Sequence, residues 1–147
     1  MHLLDTDTIT HLHAGYSGVV ERLQTVDDPD VGATIITKVE ILRGRYDYLL
    51  KASTSAEILR ARELLLRTEE LLSPIPTVPF DDVAATIFDR LRGAKGLRKI
   101  GNADLLIASI VLSRRATLVI RNLRHFRAIP GMQVVNRADG RPKSEAT

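Results

Sequence analysis

The stretch ATIITKVEILRG, residues 33–44, holds the two patterns that set the fold class. Ala33 to Thr37 is a short apolar, β-branched run, the composition of a strand buried on both faces. From about Lys38, Val39, Leu42, Tyr46 and Leu49 recur at helical spacing, so a helix follows the strand almost without a loop. Thr37 and Glu40 at this junction read as a capping box, the hydroxyl accepting from the N3 amide and the carboxylate reaching back to the cap amide. Glu40 therefore has a structural explanation of its own. The start of a helix at a strand end is also where a ligand carboxylate would sit.

The same order recurs along the chain. Leu3 and Leu4 form a short strand that ends at Asp5 and precedes a helical pattern reaching about Gln24. The segment DDPDVG, residues 27–32, is a turn punctuated by Pro and Gly. A helix from about Ser55 to Leu72 is broken by Ser-Pro-Ile-Pro at 73–76, and Thr77 to Phe80 makes a third strand. Asp81 or Asp82 caps the next helix, which reaches about Arg92. Ala103 to Ser113 is apolar nearly all round, the mark of a helix buried in the domain. Thr117 to Arg121 is a fourth strand and Met132 to Val135 a fifth. Strands alternating with helices predict an α/β fold with a parallel sheet covered on both faces. One domain is expected over residues 1–136, with 137–147 a polar, flexible tail.

A parallel sheet gathers the ends of its strands at one edge, so acids that follow strands or open helices converge there. Asp5, Glu40 and Asp104 stand in such positions, and clustered carboxylates suit hard divalent cations. Asp5 alone could be a helix-terminal acid or an Asx-turn, with Asp7 or Thr8 as the cap. Asp104 could be an acid in the first turn of a helix capped by Asn102. A carboxylate at the mouth of so apolar a helix is desolvated, however, and needs a partner such as a metal ion. Asn122, in VIRNLRHF, is a turn residue or a fourth member of the cluster. His2, His11, His13 and His125 show no metal-binding spacing.

At 147 residues, 44% hydrophobic and 27% charged, the chain has the make-up of a soluble globular domain. The longest apolar run, Leu105 to Leu112, falls far short of the ~20 residues a membrane helix needs. The first residues do not read as a signal peptide. The absence of cysteine excludes disulfides, zinc thiolates and cysteine catalysis, and fits a cytoplasmic protein. Net charge is +3, with Arg90, Arg92, Lys95, Arg98 and Lys99 in one cluster and Arg121, Arg124 and Arg127 in another. Either cluster alone is an ordinary solvated surface; together, on both sides of Asp104, they favour a polyanion-binding rim. No phosphate-binding glycine loop or nucleophile elbow is present, and aromatics at 4% are too few for a base-stacking platform.

Four segments together resemble the PIN-domain family, and most closely the VapC-type ribonuclease toxins of toxin–antitoxin pairs. They are M-x-L-L-D-T-D at 1–7, T-x-x-E-I-L-R-G at 37–44, I-x-N-A-D-L-L-I-A-S at 100–109 and L-V-I-R-N-L-R-H-F at 118–126, with I-P-G following at 129–131. The resemblance implies a three-layer α/β/α sandwich with a short-stranded, mainly parallel sheet. It implies a Mg²⁺- or Mn²⁺-dependent endoribonuclease with Asp5, Glu40, Asp104 and Asn122 as catalytic residues. Asp5 and Asp104 would be the main metal ligands and Glu40 a third ligand or the orienter of water. Three negative charges exceed those of one divalent ion, so a second metal or a bound basic group completes the site. Arg92, Lys95, Arg98, Lys99, Arg121 and Arg124 would hold RNA phosphates. A cognate antitoxin and a homodimer are the implied partners, the surplus leucines between Ile58 and Leu72 offering a docking surface. Two positions depart from the family: Asp7, commonly Asn, and Ile120, commonly Thr or Ser, which loses a hydroxyl behind the ligands. Asn at Asp5 or Asp104 is expected to abolish cleavage with little change in thermal stability.

Two other readings compete. Asp5-Thr-Asp7-Thr nearly fits the nucleophile motif of haloacid-dehalogenase phosphatases, but Ile9 misses its last position and Glu40 is left without a role. A degenerate member that only binds RNA or protein is the second alternative, raised by Ile120.

Overall fold

The computed structural model of the chain describes residues 1–13, 30–120 and 126–136. Five strands, β1 (His2–Leu4), β2 (Val31–Thr34), β3 (Thr77–Val78), β4 (Thr117–Ile120) and β5 (Gln133–Asn136), form one sheet in the order β3-β2-β1-β4-β5. Every pairing is parallel. Among the described residues five α-helices accompany them: α1 (Thr6–His13), α2 (Ile35–Lys51), α3 (Ser55–Leu72), α4 (Asp82–Gly93) and α5 (Asn102–Ser113).

Alternation along the strands makes the layers. Leu3, Val78, Leu118 and Ile120 point to one face, where they pack with Ala84 and Leu91 of α4 and with Leu105, Ile107, Ala108, Ile110 and Val111 of α5. Leu4, Ala33 and Val119 point to the other, against Ile9 of α1, Ile41 of α2 and Leu72 of α3. The expected three-layer sandwich is therefore present. The nearly all-apolar α5 lies in the larger cluster, each large aliphatic side chain there contributing roughly 1.5–3 kcal/mol. Gly32 is required where β2 meets the turn before β3, because a Cβ there would stand 2.9 Å from the Pro76 carbonyl oxygen.

Several boundaries differ from expectation. The strand read as Ala33 to Thr37 is Val31–Thr34, which takes the last two residues of the expected turn, and Thr37 belongs to α2. Thr34 caps that helix, its hydroxyl accepting from the Thr37 amide at 3.0 Å. The capping box at Thr37 and Glu40 thus does not form. A related arrangement caps α3, where Thr54 accepts from the Glu57 amide (3.2 Å) and the Glu57 carboxylate accepts from the Ser53 amide (3.1 Å). The inward face of α2 is Thr37 and Ile41, with Leu42 of the apolar stripe partly buried against the same core, whereas Val39 and Tyr46 of that stripe are exposed. Asp81, of the two candidates, caps α4. Gly101 rather than Asn102 is the cap residue of α5, with no side-chain hydrogen bond. β3 stops at Val78, two residues short of Phe80, and β5 begins at Gln133 and includes Asn136. The helical pattern expected up to Gln24 is described only to His13, and the end of the fourth strand at Arg121 lies outside the described residues.

Candidate active site

β1 is the strand at which the sheet order turns back, with β2 and β3 on one side and β4 and β5 on the other. The crevice outside the carboxyl ends of β1 and β4 is therefore a topological switch point, the usual ligand site of an open parallel sheet. Asp5 is the first residue past β1. Its amide donates to the Val119 carbonyl of β4 at 3.0 Å, and the fully buried Thr8 hydroxyl donates to the same carbonyl at 3.0 Å. The Asp7 amide donates to Asp5 Oδ1 at 3.0 Å, so Asp5 itself caps α1 where Asp7 or Thr8 was expected. Oδ2 has no hydrogen bond among the described residues.

Glu40 lies in the second turn of α2 and Asp104 in the first turn of α5. The fold brings both within electrostatic range of Asp5. Burial, opposed by the Asp7 amide and reinforced by the charges of Asp7, Glu40 and Asp104, raises the Asp5 carboxyl from 3.8 to about 7. Glu40 is also raised, by partial loss of solvent and then by Asp104. Among the described residues no cation acts on Asp5 or Glu40. Lys38, the nearest cation to Glu40 in sequence, donates instead to the carbonyls of Leu72 (3.2 Å) and Ile75 at the end of α3, and loss of solvent lowers its pKa.

Among the described residues no three Asp, Glu or His side chains lie close enough to hold a metal ion as a set. The donors nonetheless suit a hard cation in two respects. All are carboxylate oxygens, and a divalent charge would offset the burial and, after it, the repulsion from neighbouring acids that together raise the Asp5 carboxyl. Mg²⁺ commonly takes only one or two carboxylates and keeps several waters, so an open arrangement of this kind is compatible with it.

Of the remaining candidates, Asn122, Arg121, Arg124 and His125 lie outside the described residues. Ile120 is fully buried in the core with Leu3 and Leu118, so this position serves packing. Lys95 and Lys99 are exposed. Arg92 and Arg98 line an open groove of about 250 Å³ with Leu97, Ile100, Asn102 and Leu105. The run of basic residues pointed to this region. Asn102 was read only as a helix cap, and no local pattern showed that the 3₁₀ turn Lys95–Leu97 folds the chain back to make a groove. Thr8 was likewise read only as a cap, because its bond to Val119 spans the sheet.

A family model described as "PIN domain" matches residues 3–131. Among solved structures, the chain is similar to VapBC2 from Rickettsia felis bound to a DNA fragment from its promoter, with TM-score 0.73, 22% identity and coverage of 92% of this chain and 97% of that one. It is similar to DNA-bound VapBC from Salmonella typhimurium, with TM-score 0.71, 25% identity and coverage of 92% and 96%. It is also similar to a toxin–antitoxin complex from Klebsiella pneumoniae, with TM-score 0.61, 23% identity and coverage of 93% and 98%. No curated protein matches the chain.

Proposed function

The chain belongs to the PIN-domain family, and from that premise we propose that it is a Mg²⁺- or Mn²⁺-dependent endoribonuclease and the toxin of a toxin–antitoxin pair. One observation carries the reading. Asp5 stands half-buried at the switch point with its carboxyl raised to about 7, and the neighbours acting on its charge are other acids. Burying like charges costs stability, and such a cost is tolerated chiefly where function needs it.

Asp5 and Asp104 would hold the cation, the Asp5 carboxylate being fixed at the switch point by the hydrogen bond that its Oδ1 accepts from the Asp7 amide. When bound, the cation supplies charge that neutralises the attacked phosphodiester and acidifies a water. Glu40, which titrates above the usual carboxylate range, orients the attacking water and accepts its proton. Asn122 would position a metal-bound water. Arg92, Lys95, Arg98, Lys99, Arg121 and Arg124 hold phosphates to either side of the cut bond.

The similar structures are toxin–antitoxin assemblies, which supports an antitoxin as partner of this chain. Ile58, Leu59 and Leu66 on α3 and Val39, Tyr46 and Leu50 on α2 are exposed, and Leu50 is 81% accessible. These residues are the surface assigned to antitoxin or to a second copy in a homodimer. Leu72, counted earlier with that surface, is buried and belongs to the core. Among the described residues no helix is long and apolar enough to cross a membrane, in keeping with a cytoplasmic toxin.

The test is cleavage of single-stranded RNA by the full chain with Mg²⁺ or Mn²⁺ and with chelator. Cleavage should require the metal and vanish in Asp5→Asn and Asp104→Asn; cleavage retained by both variants would overturn the assignment.

A further inference from the structure

We infer that the groove formed by the end of α4, the 3₁₀ turn and the start of α5 seats one unpaired RNA nucleotide beside the bond to be cut, and so sets sequence preference. This rests on the nuclease reading above. The groove joins surfaces of different chemistry. Leu97 and Leu105 are buried and, with half-buried Ile100, give it an apolar floor, while Arg92, Arg98 and Asn102 are exposed at its rim. An apolar floor suits the face of a base, and guanidinium planes stack on bases where aromatic rings are lacking.

The rim groups have no protein partners to occupy them. Neither Arg92 nor Arg98 pairs with an acid among the described residues, although elsewhere on the surface Arg114 meets Asp81 at 3.5 Å and Arg67 meets Glu63 at 2.7 Å. Two like charges facing one groove repel each other, and a phosphate between them relieves that repulsion. The Asn102 amide also makes no hydrogen bond among the described residues. An amide offers a donor and an acceptor side by side, the pattern that reads the edge of a base.

Placement ties the groove to the cleavage site. Asn102 and Asp104 share the first turn of α5, which spans only ~5 Å along the axis. Residues two apart on a helix do not face each other and Asp104 does not line the groove, so the two side chains leave the start of α5 on different sides. A base seated against Asn102 therefore belongs to a nucleotide flanking the phosphate held near Asp104. The duplex form of RNA cannot present a base this way, so the substrate segment is single-stranded.

The full chain is incubated with Mn²⁺ and an RNA library randomised over its central positions, and the new ends are sequenced. In parallel, fluorescein-labelled A10, C10, G10 and U10 are titrated onto the Asp5→Asn variant by anisotropy. The expected result is base bias at one position adjoining the cut, reduced at least ~5-fold by Asn102→Ala. Arg92→Ala and Arg98→Ala, introduced into the Asp5→Asn background, should weaken all four oligomers alike and each lower the salt dependence by about one phosphate contact. Cleavage whose bias survives Asn102→Ala, or oligomer binding unchanged by both arginine variants, overturns the groove and leaves the nuclease standing. Oligomer binding that depends on all three residues, without cleavage by the native chain, overturns the nuclease and leaves a binding groove. Neither cleavage nor binding overturns both.

Discussion

β1 and β2 lie side by side in the sheet, yet the residues that follow them are handled in opposite ways. After β2 each buried polar group finds a partner. The Thr34 hydroxyl accepts from the Thr37 amide and lies 3.0 Å from the Thr37 hydroxyl, and Lys38 closes the last turn of α3. After β1 the half-buried Asp5 caps its helix with one oxygen, and among the described residues the other charged side chains acting on it are all acidic. Buried polar groups with partners hold a fold together, whereas a buried charge without a counter-charge works against it. The contrast separates the residues that build the domain from those that wait for a ligand.

The largest effect that could break this contrast is catalytic. Asp5→Asn and Asp104→Asn should each lower metal-dependent RNA cleavage by more than about 100-fold. Asp5→Asn should at the same time raise thermal stability in chelator at pH 8, which revises the expectation of an unchanged melting temperature. The folded carboxyl is raised to about 7 from an ordinary value of 3.8, so the folded state holds the proton more tightly. Its contribution favours folding fully below the lower value and is lost as pH rises through the upper one. The difference sets a ceiling of ~4 kcal/mol at pH 8. A melting temperature for Asp5→Asn no higher than that of the native chain at pH 8 would show that Asp5 carries no such burden.

On the β2 side the same kind of change should do the reverse. Thr34→Val removes the α2 cap and the contact with Thr37, and should cost about 1–2 kcal/mol in urea unfolding at every pH. Lys38→Met leaves two carbonyls at the end of α3 without their donor. About 1 kcal/mol should be lost, with metal-dependent cleavage retained under conditions where the chain stays folded. Abolished cleavage in a folded Lys38→Met protein would move Lys38 into the site. The smallest effect belongs to the apolar surface: Leu59→Ser should change stability by less than ~0.5 kcal/mol while weakening capture of the antitoxin. A large loss of stability there would mean that Leu59 packs in the core.

The ends of β2 and α2 show where reading the chain fell short. Ile35 and Ile36 are β-branched and continue the strand's composition, so propensity extends the strand to Thr37. The helix starts earlier because Thr34 turns its hydroxyl onto the Thr37 amide, a choice between two threonines that propensity cannot make. That shift removes the capping explanation for Glu40 and leaves its carboxylate for Asp104 and Asp5 to act upon. The inward face of α2 has a related origin. It is chosen by contact with α3, seen in the 3.0 Å bond from Arg45 Nε to the Thr68 hydroxyl, and Tyr46 falls on the outside. The end-to-end span of α3, by contrast, was legible as Ser55–Leu72, because Thr54 and Glu57 sit at its start and a Ser-Pro pair at its end.

Residue type and order by themselves determined that this chain is a parallel α/β domain carrying acids at strand and helix ends, since apolar periodicity and chain punctuation are local properties. Only the tertiary structure decided which acids feel one another, which cations are already committed and where a groove opens. Those depend on separation through space and on lost solvent, and Asp5, Glu40 and Asp104 acquire both only when β1, α2 and α5 meet at the switch point of the sheet.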